Sequence, residues 1–274
     1  MQKLIISGLI HDDILVKIPF KNPVISKELA IYSLGKGDIA QPEFEGLRHD
    51  LHAYGVDCFL CIVTAPPRVF LADMDSTMIG QEVIDEIGQA LGMKDKIAYL
   101  TEQAMQGHID FKEALEARVA LLEGARIEDL ELILSRLTIN NGADELLSSL
   151  KRRGIKTILV SGGFHFFADK IGARLGFDRV VANQLEVKNG FLTGRLEPPI
   201  IDANAKLDIL EAERQALGLS YQEIIAIGDG ANDINMVKVA GHGFAYRAKP
   251  ALLKEAAHHI NFSDLTIIRD CINF

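Results

Sequence analysis

Cysteine is scarce. Cys58, Cys61 and Cys271 are the whole complement of a 274-residue chain, too few to staple a protein of this length. Cys58 and Cys61 form a C-x-x-C, the spacing of redox and zinc sites. They lie in an apolar, strand-like run (Cys58-Phe59-Leu60-Cys61-Ile62-Val63) with no second Cys or His pair nearby, so they read as buried structural thiols. Long apolar runs are missing too. No stretch approaches the ~20 residues that span a bilayer. The first run, residues 4–10, is cut by His11-Asp12-Asp13 and is too short and too weakly flanked by positive charge for a secretory signal. Basic charge is in deficit: 29 Lys and Arg face 38 Asp and Glu, leaving −9. That excludes a general nucleic-acid or anionic-membrane surface, and an anionic small substrate would need a local positive site. What is present, 48% hydrophobic and 24% charged residues, describes a globular chain able to bury a sizeable core. Cytoplasm is the expected location, and the length suits one large domain or one plus a small one.

Residues 1–65 read as a small α/β unit, with strand candidates at Leu4-Ile5-Ile6 and residues 59–63 and no catalytic cluster. A packing or dimerising module, hence a homodimer through this unit, is the expectation. Pro66-Pro67 then makes a stiff joint. Residues 68–274 form the second unit. Apolar residues at helical spacing (Val83, Ile84, Ile87, Leu91) open a block in which further helices fit around residues 98–106, 111–122 and 127–137. No strand interrupts it, so residues of about 80–140 are expected to form an inserted helical cap. Strand and helix then alternate strictly: strand at 156–160, helix at 166–175, short strand at 179–182, a hairpin around Asn189-Gly190, helix at 203–217, strand at 223–227. The fold class expected is α/β, a doubly wound parallel sheet with ligands at the carboxyl ends of its strands.

Three strands end in polar clusters. The buried-strand pattern Val69–Ala72 runs into Asp73-Met74-Asp75-Ser76-Thr77, where alternation puts Asp73 and Asp75 on one side. The second cluster is Ser161-Gly162-Gly163, and the third is Gly228-Asp229-Gly230-Ala231-Asn232-Asp233. Each alone is an ordinary turn. A parallel sheet would bring all three to one edge, and four carboxylates in one crevice demand a hard cation, for which oxygen ligands beside a phosphate suit Mg2+. The Ser161 hydroxyl and the amides of a glycine-rich turn at the next helix can cradle phosphate, and Lys206 can add positive charge. Phosphoryl transfer needs little more than a nucleophile, charge neutralisation and an acid for the leaving oxygen.

On these residues the chain resembles the haloacid dehalogenase superfamily of phosphohydrolases, over residues 68–274, and within it the enzymes that hydrolyse O-phosphoserine to serine and phosphate, the last step of serine biosynthesis. The resemblance implies that Asp73 attacks phosphorus and that Asp75 protonates the departing oxygen and then activates water. It implies Mg2+ on Asp73, the Asp75 carbonyl and Asp229, with Asp233 in support, and phosphate held by Ser161, Gly162, Lys206 and Asn232. It also likens the first unit to a regulatory, ACT-like extension.

Selectivity is expected in the cap. Phe111, Leu115, Arg118 and Leu122 share one helix face, so a guanidinium sits on an apolar stripe and wants a carboxylate or phosphate; an internal salt bridge with a nearby Glu would serve as well. The resemblance assigns Arg118 to the substrate carboxylate, Glu82 to its ammonium, and Met105 and Phe111 to an apolar wall. By pattern alone Glu82 falls on a solvated helix side with Asp85 and Glu86. Two other readings stay open: the same chemistry on another small phosphomonoester or phosphoryl transfer to an alcohol such as homoserine, and a non-catalytic phospho-Asp switch.

Overall fold

The computed structural model describes residues 2–26, 28–35, 37–106 and 108–273, with the side chains of Asp12 and Met105 outside that description. Its first sheet is antiparallel and four-stranded. It is built from β1 (Gln2–Ser7), α1 (Asp12–Leu15), β2 (Val24–Ile25), β3 (Leu29–Leu34), α2 (Gln41–His52) and β4 (Asp57–Ile62), in strand order β2-β3-β1-β4. Strand alternation sends Leu4, Ile6 and Cys58 toward Ile14, Phe44 and Leu51 of the two helices. Ile5, Phe59 and Cys61 face the other way and join the large core of the rest of the chain. All three cysteines are free and buried.

The second sheet has seven strands. β5 (Val69–Ala72) precedes four cap helices, α3 (Val83–Ala90), α4 (Lys94–Met105), α5 (Phe111–Ala120) and α6 (Ile127–Leu134). Then come α7 (Ala143–Arg152), β6 (Lys156–Phe164), α8 (His165–Leu175), β7 (Arg179–Lys188), β8 (Phe191–Glu197) and α9 (Ala203–Ala216). The chain closes with β9 (Ile224–Gly228), α10 (Ile234–Val239), β10 (His242–Tyr246), α11 (Pro250–Leu253), β11 (His258–Ile260) and α12 (Ile267–Cys271). The strand order is β11-β10-β9-β5-β6-β7-β8, parallel except for the β7–β8 hairpin. Asn189 and Gly190 both take positive φ, +53° and +83°, as a primed two-residue turn requires. β7 is one long strand where the pattern suggested two pieces: its start pairs with β6 and its end with β8.

β5 is the middle strand, between β6 and β9, and its four residues are fully buried. Phe70 and Ala72 pack into one core, Val69 and Leu71 into the other, which explains the unbroken apolar run. From β5 the chain winds outward through β6 and β7, then returns to the opposite side for β9, β10 and β11. The switch in direction therefore falls at the carboxyl end of β5, where such sheets open a crevice. The cap leaves and re-enters through a narrow neck: Ile79 and Ile139 form an isolated bridge, and the Asn140 amide donates to the carbonyls of Thr77 and Ile79 at 2.9 and 3.0 Å.

Candidate active site

A cavity of about 570 Å³ lies between the strand ends and the cap. Its body side is made by Asp73, Asp75, Gly162, Gly163, Asp229, Asn232 and Lys249, and its cap side by Glu82, Asp85, Thr101, Phe111, Leu115 and Arg118. The end of β5 supplies the two aspartates. The Asp73 amide donates to the Ile227 carbonyl of β9 at 3.0 Å, so the ladder carries the first carboxylate to the sheet edge. Ser76 at φ +54° turns the chain, and the Asp75 Oδ1 accepts from the Val83 amide that starts α3, at 3.2 Å.

Beneath the floor, Lys206 is wholly buried and donates to Asp73 Oδ1 at 2.7 Å and Asp233 Oδ1 at 2.6 Å. Asp233 Oδ2 in turn accepts from the amides of Asp229 and Gly230, both at 3.1 Å. Gly228 packs so closely on Asp233 that a Cβ there would stand 2.2 Å from its carboxyl carbon, which requires glycine at the end of β9. Asp73, Asp229 and Asp233 are all buried, and each offers an oxygen within 4.8 Å of the others'. Lys206 and the half-exposed Lys249, 3.3 Å from Asp229, leave three buried carboxylates one positive charge short, so the donor set fits a hard divalent cation. The Asp75 carboxylate stands apart from this trio, turned to Val83.

The charges press on one another. Burial and then Asp233 raise the Asp73 pKa well above the carboxylate range, against the pull of Lys206. Burial and then Glu82 do the same for Asp75, against the Val83 amide. Burial pushes Asp229 up to about 6, opposed by Lys249.

The sequence-predicted residues separate into two levels. Asp73, Asp75, Glu82, Phe111, Arg118, Gly162, Asn232 and Asp229 line the cavity; Ser161, Lys206 and Asp233 lie behind it. The Met105 side chain falls outside the described residues. Gly162 faces both Phe111 and Asn232, whose nearest side-chain atoms would be 3.6 and 3.9 Å from a Cβ at that position. At Gly163 a Cβ would stand 2.6 Å from Asp75 Oδ2 and 3.0 Å from Ser161 Oγ, so a side chain there would displace the Asp75 carboxylate. The expected glycine-rich turn is a correction: β6 continues as extended chain through Phe164, with a bulge after Val160. Asn183 holds it, donating to the Gly162 carbonyl at 2.8 Å while accepting from the Ile201 amide at 2.8 Å. Arg118 donates to the Ala114 carbonyl (3.1 Å) and Thr101 Oγ1 (3.4 Å). Among the described residues it forms no salt bridge, so the internal pairing considered for it is not made.

The sequence model of the haloacid dehalogenase-like hydrolase family matches residues 70–238, a span that holds every one of these strand-end clusters. The chain belongs to the haloacid dehalogenase-like hydrolases. Among relatives, a phosphoserine phosphatase of Archaeoglobus fulgidus is 42% identical over 245 residues, 88% of this chain and 71% of that one. A solved haloacid dehalogenase family hydrolase from Salmonella enterica superposes with a TM-score of 0.92 at 28% identity, over 99% of this chain and 98% of that one. A phospho-aspartyl intermediate analogue of a phosphoserine phosphatase superposes with a TM-score of 0.71 at 40% identity, over 76% of this chain and all of that one.

In haloacid dehalogenase-like terms the strand-end motifs were legible, but Asn183 and Lys249 were not. Lys249 sits 3.3 Å from Asp229 Oδ2 and 3.7 Å from Glu82 Oε1. The signal for it was available: Ala248-Lys249-Pro250 follows an apolar strand, as the other clusters do. Asn183 carried no local signal, because its partners are 21 and 18 residues away.

Proposed function

We propose that this hydrolase is a phosphoserine phosphatase, cleaving O-phosphoserine to serine and phosphate through a phosphorylated Asp73. The observation that carries the reading is one cavity with two complementary ends: paired aspartates over an acidic, lysine-backed floor, and on the opposite wall, beside Glu82, an Arg118 that pairs with no carboxylate among the described residues. Phosphoserine has a phosphate for the first end and a carboxylate and ammonium for the second. The similarity to phosphoserine phosphatases over most of the chain supports the same substrate.

Asp73 attacks phosphorus as the serine oxygen leaves on the far side. Asp75, whose pKa burial and then Glu82 raise, gives that oxygen its proton. The carboxylate left behind then takes a proton from water attacking the phospho-aspartate, so Asp75 returns to its starting state. Gly162 and Asn232, beside Phe111, hold phosphate oxygens with support from Ser161 and Lys206, and Phe111 keeps water from the ester. Asp73, the Asp75 carbonyl, Asp229 and Asp233 would hold Mg2+, which supplies charge neutralisation for the phosphoryl oxygens and keeps Asp73 ionised. Arg118 binds the substrate carboxylate and Glu82 the ammonium.

Residues 1–65 are read as a separate ACT-like unit, and the exposed Val24 and Ile25 of its edge strand β2 support pairing with a second copy. A cytoplasmic setting is supported by three free, buried thiols, and no helix among the described residues is long and apolar enough to cross a membrane.

The test is phosphate release from O-phosphoserine, phosphothreonine and sugar phosphates, with Mg2+ or EDTA. Metal-dependent turnover favouring phosphoserine, lost in Asp73→Asn, is expected. Undiminished turnover by that variant would end the covalent mechanism, and a phospho-protein stable for hours would favour a switch.

A further inference from the structure

Lys249 lines the cavity yet has no part in the roles above. It comes from the turn after β10, a strand whose end the sequence motifs do not mark. Its amide donates to the Asp229 carbonyl at 2.8 Å, and Pro250 opens α11 immediately behind it. The backbone at this lysine is therefore tied to the loop that carries the acidic floor. Its ammonium is shared between Asp229 Oδ2 (3.3 Å) and Glu82 Oε1 (3.7 Å), and the second contact crosses from the α/β body to the cap.

Glu82 occupies the N-cap position of α3, but its carboxylate caps no helix amide. It accepts instead from Ser76 Oγ at 2.8 Å and faces Lys249. Two groups of the body thus aim a cap carboxylate. A glutamate side chain left to itself samples many rotamers, and fixing it in advance removes an ordering cost from binding.

Resting on the phosphoserine reading, we propose that Lys249 is a positioning residue for the amino-acid end of the substrate. It pins the Glu82 carboxylate on the body side of the cavity, where that carboxylate meets the substrate ammonium while the phosphate reaches Asp73. The consequence is selectivity. A phosphoester with an amino group gains from the aimed carboxylate; one without it gains nothing.

The experiment measures kcat and KM at saturating Mg2+ for O-phosphoserine and 4-nitrophenyl phosphate, in the natural enzyme, Lys249→Met, Lys249→Gln and Lys249→Arg. The pair is half-exposed, and contacts of that kind are worth up to about fivefold in an equilibrium. The ratio of kcat/KM for phosphoserine over the aryl ester should fall by about that factor in the Met and Gln variants, through KM for phosphoserine, and recover in Lys249→Arg. Calorimetric titration with serine should show the same weakening without turnover. An unchanged ratio, or parallel losses on both substrates, would overturn the proposal. A natural enzyme that cleaves the aryl ester but not phosphoserine would instead remove the phosphoserine reading.

Discussion

Replacing Lys206 by Met removes a wholly buried cation while keeping most of the apolar stem, so the change is close to one of charge alone. In the natural chain burial works to lower the Lys206 pKa, yet Asp233 and Asp73 outweigh it and raise it above the ordinary lysine range. Its ammonium hydrogen-bonds to Asp73 at 2.7 Å and to Asp233 at 2.6 Å. Without them three buried carboxylates confront one another within 4.8 Å. Removing one partner of a buried ion pair costs about 3–5 kcal/mol. At about 2–4 °C per kcal/mol for a chain of this size, the metal-free variant should melt roughly 6–20 °C lower. A divalent cation can replace the missing charge, and it binds a more negative cluster more tightly. Mg2+ should therefore raise the Tm of the variant more than that of the natural protein. Calorimetric melts of both proteins in EDTA and in millimolar Mg2+ give all four numbers. Melting within about 2 °C of the natural protein in EDTA, or a smaller Mg2+ increment in the variant, would refute the view that Lys206 balances this floor.

Asp229, pushed up to about 6 by burial, should hold a proton against the metal below that pH. Divalent-cation affinity should fall as pH drops through 6, and titrations with Mn2+ on either side of that value test it. Since its folded pKa lies above the unfolded one, the metal-free protein loses this contribution to stability as pH rises from about 4 to 6. His258 works in the opposite sense. Burial, then His242, His259 and Arg48, depress it to about 3, so the unfolded chain binds the extra proton and stability is lost as pH falls from about 6.5 toward 3. His258→Leu should flatten the acid limb of a plot of Tm against pH, and an unchanged limb would count against it. Asp57 of β4 accepts from the amides of Asn261, Phe262 and Ser263 at 3.0, 3.0 and 2.8 Å, tying the first sheet to the loop after β11. Asp57→Ala strands those donors, at about 1–3 kcal/mol for a buried one. It should speed hydrogen exchange at residues 261–263 and expose the 64–67 joint to protease; unaltered exchange there would show that the clamp is idle.

Read by itself, the sequence determined the elements whose cause is local. β5 was legible because four consecutive apolar residues stop at Asp73. The cap followed from helical spacing without an intervening strand, and the β7–β8 turn from Asn189-Gly190. The order of the three acidic and glycine-rich clusters, each at the end of an apolar strand, was enough to name the chemistry. Tertiary structure alone decided which atoms meet. Ser161-Gly162-Gly163 looks like a turn in isolation, but Asn183 pins it as extended chain. Lys206 looks like a solvated helix residue until Asp73 and Asp233 enclose it. Arg118 had as good a claim on a neighbouring glutamate as on a ligand, and only the packed cap leaves its guanidinium facing the cavity. Periodicity and turn chemistry report forces between residues a few positions apart, whereas the charge balance of this site depends on carboxylates and cations brought together from across the chain.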